Sequence, residues 1–226
     1  MTKLIRLIQR RPERIEHTEE KCQEAAKRLR QELLKPEYFQ FQPQRIGDIS
    51  VMAKRGKSAK YGNSNIQIIK SGQARGYLDF DFSEKHFVAD GFVLDERKLE
   101  KGDILINSTG VGTAGRVTLF DLDGDFVVDS HITIVRLDRN KALPKYVLYS
   151  LANIGFKQIE AMADGQSGQI ELPLEAILAI QIPLPSIEVQ QRIVEEFQRV
   201  EDQIAQTDAQ LNALRAEKNL ILRKYL

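Results

Sequence analysis

The sequence predicts an α+β protein in which a mixed, β-rich middle domain is flanked by two long α-helices. A segment near each end has no internal glycine or proline and carries apolar residues at heptad spacing. The segment between them alternates short β-prone runs with Gly, Asp and Asn, which is typical of strands joined by turns. The predicted divisions of the 226-residue chain are 1–36, 37–186 and 187–226.

The first helix is predicted between Pro12 and Pro36. A proline suits the first helical turn because its missing N–H needs no partner there, and Pro36 disfavours a helical conformation at the residue before it. Within and just before this segment, apolar residues spaced seven positions apart indicate one coiled-coil seam on an otherwise charged helix. The seam residues recur every seven positions, at Ile8, Ile15, Cys22 and Leu29.

The second helix is predicted to follow Ser186, a suitable N-cap, and to continue to the chain end. A helix of about 38 residues is roughly 57 Å long, too long to pack within one small domain. We expect it to pair with the first helix, a second copy of the chain or another protein; a single exposed helix is the alternative. Eight of its ten seam positions are apolar: Ile193, Phe197, Val200, Ile204, Thr207, Leu211, Leu214, Lys218, Ile221 and Tyr225.

The middle domain is predicted to form a curved or barrel-like mixed sheet. Two helices are expected to interrupt it, at about 144–153 and 155–163. The strands are predicted at 66–69, 92–94, 104–106, 117–120, 126–128, 132–137 and 179–184.

Charge is distributed unevenly along a chain whose formal net charge is only +1. Residues 45–80 carry seven Lys+Arg against two Asp+Glu, whereas residues 81–129 carry five against eleven. A local basic excess is what a nucleic-acid-binding surface presents. The alternative is an ordinary solvated surface that the following acidic segment balances.

Composition excludes several classes of protein. No apolar run approaches the about 18 residues that a membrane span requires. Arg6 and Gln9 interrupt the N-terminal apolar stretch, so no targeting peptide is expected. A single cysteine, Cys22, excludes an intrachain disulfide framework and a cysteine-based zinc cluster. We expect a protein of the reducing cytoplasm with no metal.

Residues 110–115 match the dinucleotide-binding pattern G-x-G-x-x-G, but a predicted strand follows them. A dinucleotide site requires a helix there, whose N-terminus meets the pyrophosphate. We therefore predict a tight loop of positive-φ glycines between two strands, and no cofactor. Ser108 and Thr109 project hydroxyls from this loop, and Arg116 stands at its edge.

Two further motifs suggest catalysis or cation binding but lack the required arrangement. The Asp129-Ser130-His131 run is expected on a strand, where adjacent side chains point to opposite faces and form no catalytic relay. The acidic run 121–125 lacks the ligand spacing of a calcium loop and is predicted to be a hairpin turn.

Four longer motifs stand in a distinctive order along the chain. They are Phe39-x-Phe41-x-Pro43-x-x-Ile46-Gly47-Asp48-Ile49, Leu99-x-x-Gly102-Asp103-Ile104-Leu105-Ile106, Gly165-Gln166-Ser167-Gly168-Gln169-Ile170 and Ile182-Pro183-Leu184-Pro185-x-x-Glu188-x-Gln190-x-x-Ile193-Val194. Together they resemble the DNA-specificity subunits of type I restriction–modification systems over about residues 37–226. The N-terminal helix resembles the end of that family's spacer helix.

The resemblance implies a non-catalytic role in recognising double-stranded DNA. Subunits of this family bind a bipartite target and dock methyltransferase subunits, which modify adenine, and restriction subunits, which translocate and cleave DNA. They usually carry two target-recognition domains and two spacer helices, whereas this chain resembles half of such a subunit. The resemblance therefore implies a homodimer, because two-fold symmetry restores two recognition domains. The length of the coiled coil then sets the distance between the two half-sites on DNA.

The candidate DNA contacts come from three segments. Lysines and arginines of the basic stretch, Lys54 and Arg55 among them, are expected to hold phosphates. Residues 165–170 form a second polar loop, for which a purely structural role stays open. The candidate base-reading and loop residues are Lys57, Lys60, Asn63, Asn65, Lys70, Gln73, Arg75, Ser108, Thr109, Arg116, Gln166, Ser167 and Gln169.

Two alternatives accompany this interpretation. In the first, the chain is a coiled-coil adaptor whose β-rich domain binds protein. In the second, it is a piece of a full specificity subunit. Salt separates the adaptor from the DNA binder, because DNA binding releases counterions and weakens steeply as salt rises.

Overall fold

A computed structural model of the protein describes residues 40–164 and 170–225, and the chain divides into two compact units between residues 191 and 192. The predicted N-terminal helix lies outside the described residues, with its seam residues Ile15, Cys22 and Leu29. The polar loop residues Gln166, Ser167 and Gln169 also lie outside them.

The described chain combines α and β structure, with a β-rich domain followed by a long helix, as predicted. The helices are α1 (Pro144–Ile154), α2 (Phe156–Glu160), α3 (Leu174–Ala179) and α4 (Ile187–Tyr225), with a 3-10 turn at Ile46–Ile49. The strands are β1 (Pro43–Arg45), β2 (Ser50–Arg55), β3 (Gln67–Ile69), β4 (Ala74–Gly76), β5 (Asp79–Phe80), β6 (His86–Phe87), β7 (Ile104–Asn107), β8 (Val117–Leu119), β9 (Phe126–Val128), β10 (Ile132–Leu137) and β11 (Gln181–Pro183).

A four-stranded antiparallel sheet in the order β2-β10-β7-β8 forms the centre of the domain. Side chains alternate between the faces of a strand, and here both faces are buried. Ile104 and Ile106 pack into one core with Leu148 of α1. Leu105, between them, packs into the opposite core with Phe120. Near-continuous apolar runs in β7 and β10 follow from this two-sided burial.

A three-stranded sheet in the order β6-β3-β9 contributes to the second of these cores. Its strand β3 is antiparallel to β6 and parallel to β9. Ile69 and Val128 lie in the apolar cluster that also holds Phe120 and Phe126, whose ring centroids are 5.3 Å apart in an edge-to-face arrangement. Because β3 and β9 are parallel, the chain leaves both strands at the same edge of the sheet.

Gln190, in the first turn of α4, connects three parts of the β-rich domain. It is fully buried, and its Oε1 accepts a hydrogen bond from the Leu143 amide at 2.8 Å. Its Nε2 donates to the carbonyls of Lys141 and Pro185, both at 2.9 Å. The nearby Tyr146 hydroxyl donates to the Pro183 carbonyl at 2.8 Å. The Pro-Leu-Pro…Gln motif thus ties the start of α4 to the start of α1.

Most predicted strands and both predicted inner helices are confirmed, with three corrections. Residues 92–94 form no strand; Phe92 and Leu94 are loop residues that pack on a small core around Ile68, so their apolar pattern reflected burial alone. Residues 174–179 form helix α3, which precedes the short strand β11. Residues 121–125 form no hairpin, because β8 and β9 belong to different sheets.

Helix α4 confirms the predicted long C-terminal helix, and its exposure pattern follows the predicted seam. Glu195, Arg199 and Asp202, which lie between seam positions, are exposed. The side chain of Ile221 is outside the described set. Among the described helices, none combines the length and apolar character that crossing a bilayer requires. The buried or partly buried seam residues are Ile193, Phe197, Val200, Ile204, Leu211 and Leu214.

We expect Gln190→Leu to lower the free energy of unfolding by about 3 kcal/mol, because one backbone amide and two backbone carbonyls lose their hydrogen bonds to a fully buried side chain. Urea denaturation followed by circular dichroism measures this change. Gln158→Leu is the matched control, since Gln158 is exposed on α2. Equal stability of the two variants would contradict the structural role of Gln190.

Candidate nucleic-acid interface

Strand ends from both sheets meet at one edge of the β-rich domain. Antiparallel pairing places the carboxyl ends of β2 and β7 beside the amino end of β10, where Arg55 faces Thr133 and Asn107 faces Ile132. The parallel strands β3 and β9 bring their own carboxyl ends to the same place. We call this surface the loop edge and define it by residues 55–58, 70–75, 107–116 and 129–131.

The Asp129 carboxylate joins the two turns that follow β3 and β9. Its Oδ2 accepts a hydrogen bond from the Ser71 amide at 3.2 Å, and its Oδ1 accepts one from the His131 amide at 2.9 Å. Asn107, at the end of β7, donates from Nδ2 to the Ser71 carbonyl at 2.9 Å. The central sheet and the parallel pair are therefore connected through short polar contacts at this edge.

The glycine-rich segment 110–115 is the predicted tight loop, and it joins β7 to β8 without a helix. Gly110, Gly112 and Gly115 all have positive φ, at 101°, 72° and 86°. At Gly115 a Cβ atom would lie 2.8 Å from the Glu160 amide nitrogen, so only glycine fits there. The loop therefore has the geometry of a tight connection, and no helix N-terminus follows it within the described chain that would hold a pyrophosphate.

Residues 129–131 form a turn between β9 and β10, which corrects the prediction that they lie on a strand. The Asp129 carboxylate bonds the main chain of His131, while the His131 ring contacts Thr109 through Nδ1 and Oγ1 at 2.6 Å. Ser130 Oγ lies 3.1 Å from Ser58 Oγ. The carboxylate thus orients the turn rather than the imidazole, so these residues form no Asp-His-Ser relay.

Four predicted DNA-contacting cations are paired with carboxylates. The distances are 2.7 Å for Lys54–Glu96, 2.8 Å for Arg55–Glu171 and 2.6 Å for Arg75–Asp81, and Lys57 pairs with Asp95. The hydrogen bond from Lys57 lowers the pKa of Asp95 to about 2, and that from Arg75 holds the pKa of Asp81 well below its usual range. These pairs are largely exposed, so they stabilise the fold only weakly.

Three other predicted cations have no carboxylate within ion-pair distance in the part of the chain that is described. They are Lys60, Lys70 and Arg116. Arg116 donates weakly, at 3.3 Å, to the carbonyls of Ala74 and Gly112. These positive charges therefore have no counter-ion among the described residues.

The remaining predicted residues divide between surface and interior. Asn63 and Asn65 are exposed in the segment that joins β2 to β3. Ser108 is fully buried, and Gln73 is nearly so. The Gln73 side chain accepts from the Lys70 amide at 3.0 Å and donates to the Glu84 carbonyl at 2.6 Å, so it shapes the turn after β3.

The segment around the undescribed polar loop is anchored to the loop edge. Asp164 and Glu171 exchange two backbone hydrogen bonds, at 2.7 and 2.8 Å. The Leu172 amide bonds the Ser108 carbonyl at 2.7 Å, and the Gly110 amide bonds the Ile170 carbonyl at 3.2 Å. Residues 170–172 therefore run directly beside the start of the glycine loop.

Sequence reasoning did not single out Ser71, Asn107 or Tyr61. The first two belong to no motif, and their importance comes from partners that are 58 and 36 residues away in the chain. Tyr61 carried a usable signal, because it is an aromatic residue inside the basic stretch between Lys60 and Lys70.

This geometry is that of a recognition domain: cationic loops stand at one edge of a β-rich core, and a long helix comes after it. The sequence profile described as "Type I restriction modification DNA specificity domain" matches residues 40–216. The chain belongs to this family and carries one recognition domain. No curated protein sequence matches the chain closely enough to count as a relative.

Solved structures share the fold at low sequence identity. The HsdS subunit from Thermoanaerobacter tengcongensis aligns at a TM-score of 0.71 and 16% identity, covering 99% of this chain and 57% of that chain. A second structure, described for complex assembly and conformational transition of the type I R-M system, aligns at a TM-score of 0.71 and 15% identity. The alignment covers 98% of this chain and 57% of that chain. The Type-I restriction-modification system S subunit from M. genitalium aligns at a TM-score of 0.56 and 16% identity, covering 98% of this chain and 58% of that chain. The chain thus spans just over half the length of these structures.

We expect Asp129→Ala to lower the free energy of unfolding by about 2 kcal/mol, because two backbone amides lose a charged acceptor. Asp123→Ala is the control, since that carboxylate is almost fully exposed and only forms a surface pair with Lys101. Urea titration measures both variants. If Asp129→Ala lowers the free energy of unfolding no more than Asp123→Ala does, the Asp129 carboxylate does not hold the two turns together.

Proposed function

We propose that this chain is the sequence-reading subunit of a type I restriction–modification system and binds double-stranded DNA through its loop edge. Membership of the specificity family supports DNA as the ligand. The observation that carries the proposal is that Lys70 and Arg116 in the loop edge, and Lys60 just beyond its first segment, have no carboxylate partner among the described residues. In this proposal the chain performs no catalysis, and methylation and cleavage belong to partner subunits.

The predicted site residues take different roles in this proposal. The three unpaired cations hold phosphates, which sets the register on the duplex without reading sequence. The paired cations Lys54, Arg55, Lys57 and Arg75 exchange exposed carboxylates for phosphates. Ser108 and Gln73 support the loops from inside. Base reading falls to the polar side chains of the exposed residues Asn63 and Asn65, to Thr109, and to Gln166, Ser167 and Gln169 of the polar loop.

The assembly we propose is a homodimer with one recognition domain on each chain. Residues 37–186 form that domain, and the helices at 1–36 and 187–226 form a coiled-coil spacer. Each domain then reads one half of a bipartite target, and two-fold symmetry makes the target palindromic around an unspecified gap. The spacer also offers the surface on which methyltransferase and restriction subunits dock. The heptad spacing of apolar residues along α4 supports a coiled coil.

DNA binding by the purified chain should weaken steeply as salt rises, because phosphate contacts release counterions. Lys60→Ala should reduce the slope of log affinity against log salt by about 1. Lys101→Ala is the control, because Lys101 precedes β7 and so lies at the opposite end of the central sheet. Fluorescence anisotropy with a random duplex measures both. Affinity that does not change with salt would favour the protein-binding adaptor.

Light scattering should give a solution mass near twice the 25.8 kDa of one chain. Ile204→Asp, at a partly buried seam position, should halve that mass because it places a charge in the coiled-coil seam. Gln206→Asp, exposed on the same helix, should leave the mass unchanged. A wild-type mass of one chain would reject the homodimer without affecting the assignment to the family.

A further inference from the structure

Tyr61 is an exposed aromatic residue on a firmly held segment. Its side chain is 57% exposed, and its backbone bridges to Val88. On one side the Ala89 amide bonds the Lys60 carbonyl at 2.8 Å, and on the other the Gly62 amide bonds the Phe87 carbonyl at 3.0 Å. A Cβ atom at Gly62 would lie 2.6 Å from the Ala89 Cα, so the backbone approaches closely here. The tyrosine is therefore presented from a fixed position.

Two side chains hold the Tyr61 ring in place. The Lys70 ammonium lies 5.7 Å from the ring centroid, within the range of a cation–π contact. The His86 ring is 5.6 Å away, centroid to centroid, at an interplanar angle of 42°. The Tyr61 hydroxyl makes no hydrogen bond to any residue in the described part of the chain. The ring thus has two neighbours, while its hydroxyl is without a hydrogen-bond partner among the described residues.

Lys70 and His86 also place Tyr61 at the loop edge. Both line an open concavity of about 310 Å³ together with Ser71, Arg75 and His131. Since Tyr61 contacts both side chains, it stands at the rim of that concavity. A ring and hydroxyl held beside a cation at this edge combine an apolar contact surface with a hydrogen-bond donor.

We propose that Tyr61 reads an A·T base pair of the half-site in the major groove, an inference that rests on the proposed function. In that groove thymine offers a C5-methyl group and the O4 acceptor. The Tyr61 ring supplies the apolar contact for the methyl group, and its hydroxyl donates to O4. Lys70, beside the ring, holds a backbone phosphate and carries no sequence information. Tyr61 is thereby a specificity-determining residue.

Selection from a randomised duplex pool, with the full chain, tests this assignment. Wild type should enrich a motif, and Tyr61→Ala should lose the preference at an A·T position of that motif. Its affinity for the wild-type site should fall about tenfold, while affinity for a scrambled duplex stays the same. Tyr61→Phe keeps the ring and loses the hydroxyl, so its loss should be smaller and confined to the same position.

Two further variants separate base reading from other effects. Phe41→Ala, at an exposed aromatic residue before β1, should select the wild-type motif with wild-type affinity. Lys70→Ala should weaken binding to selected and scrambled duplexes alike and reduce the salt slope by about 1. Thermal melting checks that every variant is folded, and Tyr61→Phe replaces Tyr61→Ala if the latter unfolds.

The outcomes distinguish the role of Tyr61 from the proposed function of the chain. An unchanged motif and affinity in Tyr61→Ala would overturn the inference and leave the proposed function standing. Equal losses on selected and scrambled duplexes would make Tyr61 a phosphate contact, which also overturns it. If wild type shows no salt-dependent binding to any duplex, the proposed function itself fails.

Discussion

The loop edge depends on one carboxylate, that of Asp129. It accepts two backbone amides, from Ser71 and His131, and is 8% exposed. Hydrogen bonds to a charged acceptor are stronger than neutral ones, and more so where water is partly excluded. The bond from Ser71 holds the turn after β3, which Lys70 begins, and the bond from His131 holds the turn after β9. Lys70 in turn contacts the Tyr61 ring, so this carboxylate bonds the residue next to one that holds the candidate recognition surface together.

Folding largely neutralises the basic stretch that the sequence displays. The acidic segment after it supplies Asp81, Asp95 and Glu96 as partners for its cations. Exposed ion pairs contribute little free energy, so these pairs stabilise the fold only weakly. Lys70 and Arg116, in the loop edge, are cations that have no carboxylate partner among the described residues. Net charge alone, at +1, hides this local pattern.

The residues of the family motifs differ in burial from those that we propose to read DNA. Gln190 is buried and satisfies three backbone groups. Asp103 is also buried, and both its oxygens accept from the Arg136 guanidinium at 2.9 Å. Such positions tolerate little change because a buried polar group without a partner is costly. Residues such as Tyr61 and Asn63 have no such constraint, since they are exposed on loops. A scaffold of this kind permits new specificities without a new fold.

The sequence by itself determined the elements whose signal is local. Helix α4 arises from a heptad pattern, the strands β7 and β10 from apolar runs, and the glycine loop from the β-prone run directly after Gly115. Tertiary structure alone decided that Phe92 lies in a loop, that β3 pairs in parallel with β9, and that Gln73 turns inward. The physical reason is that periodicity reports which side of an element is buried, whereas pairing between distant segments depends on the packed core. The loop edge is built from such pairings, so its residues became a site only in the folded chain.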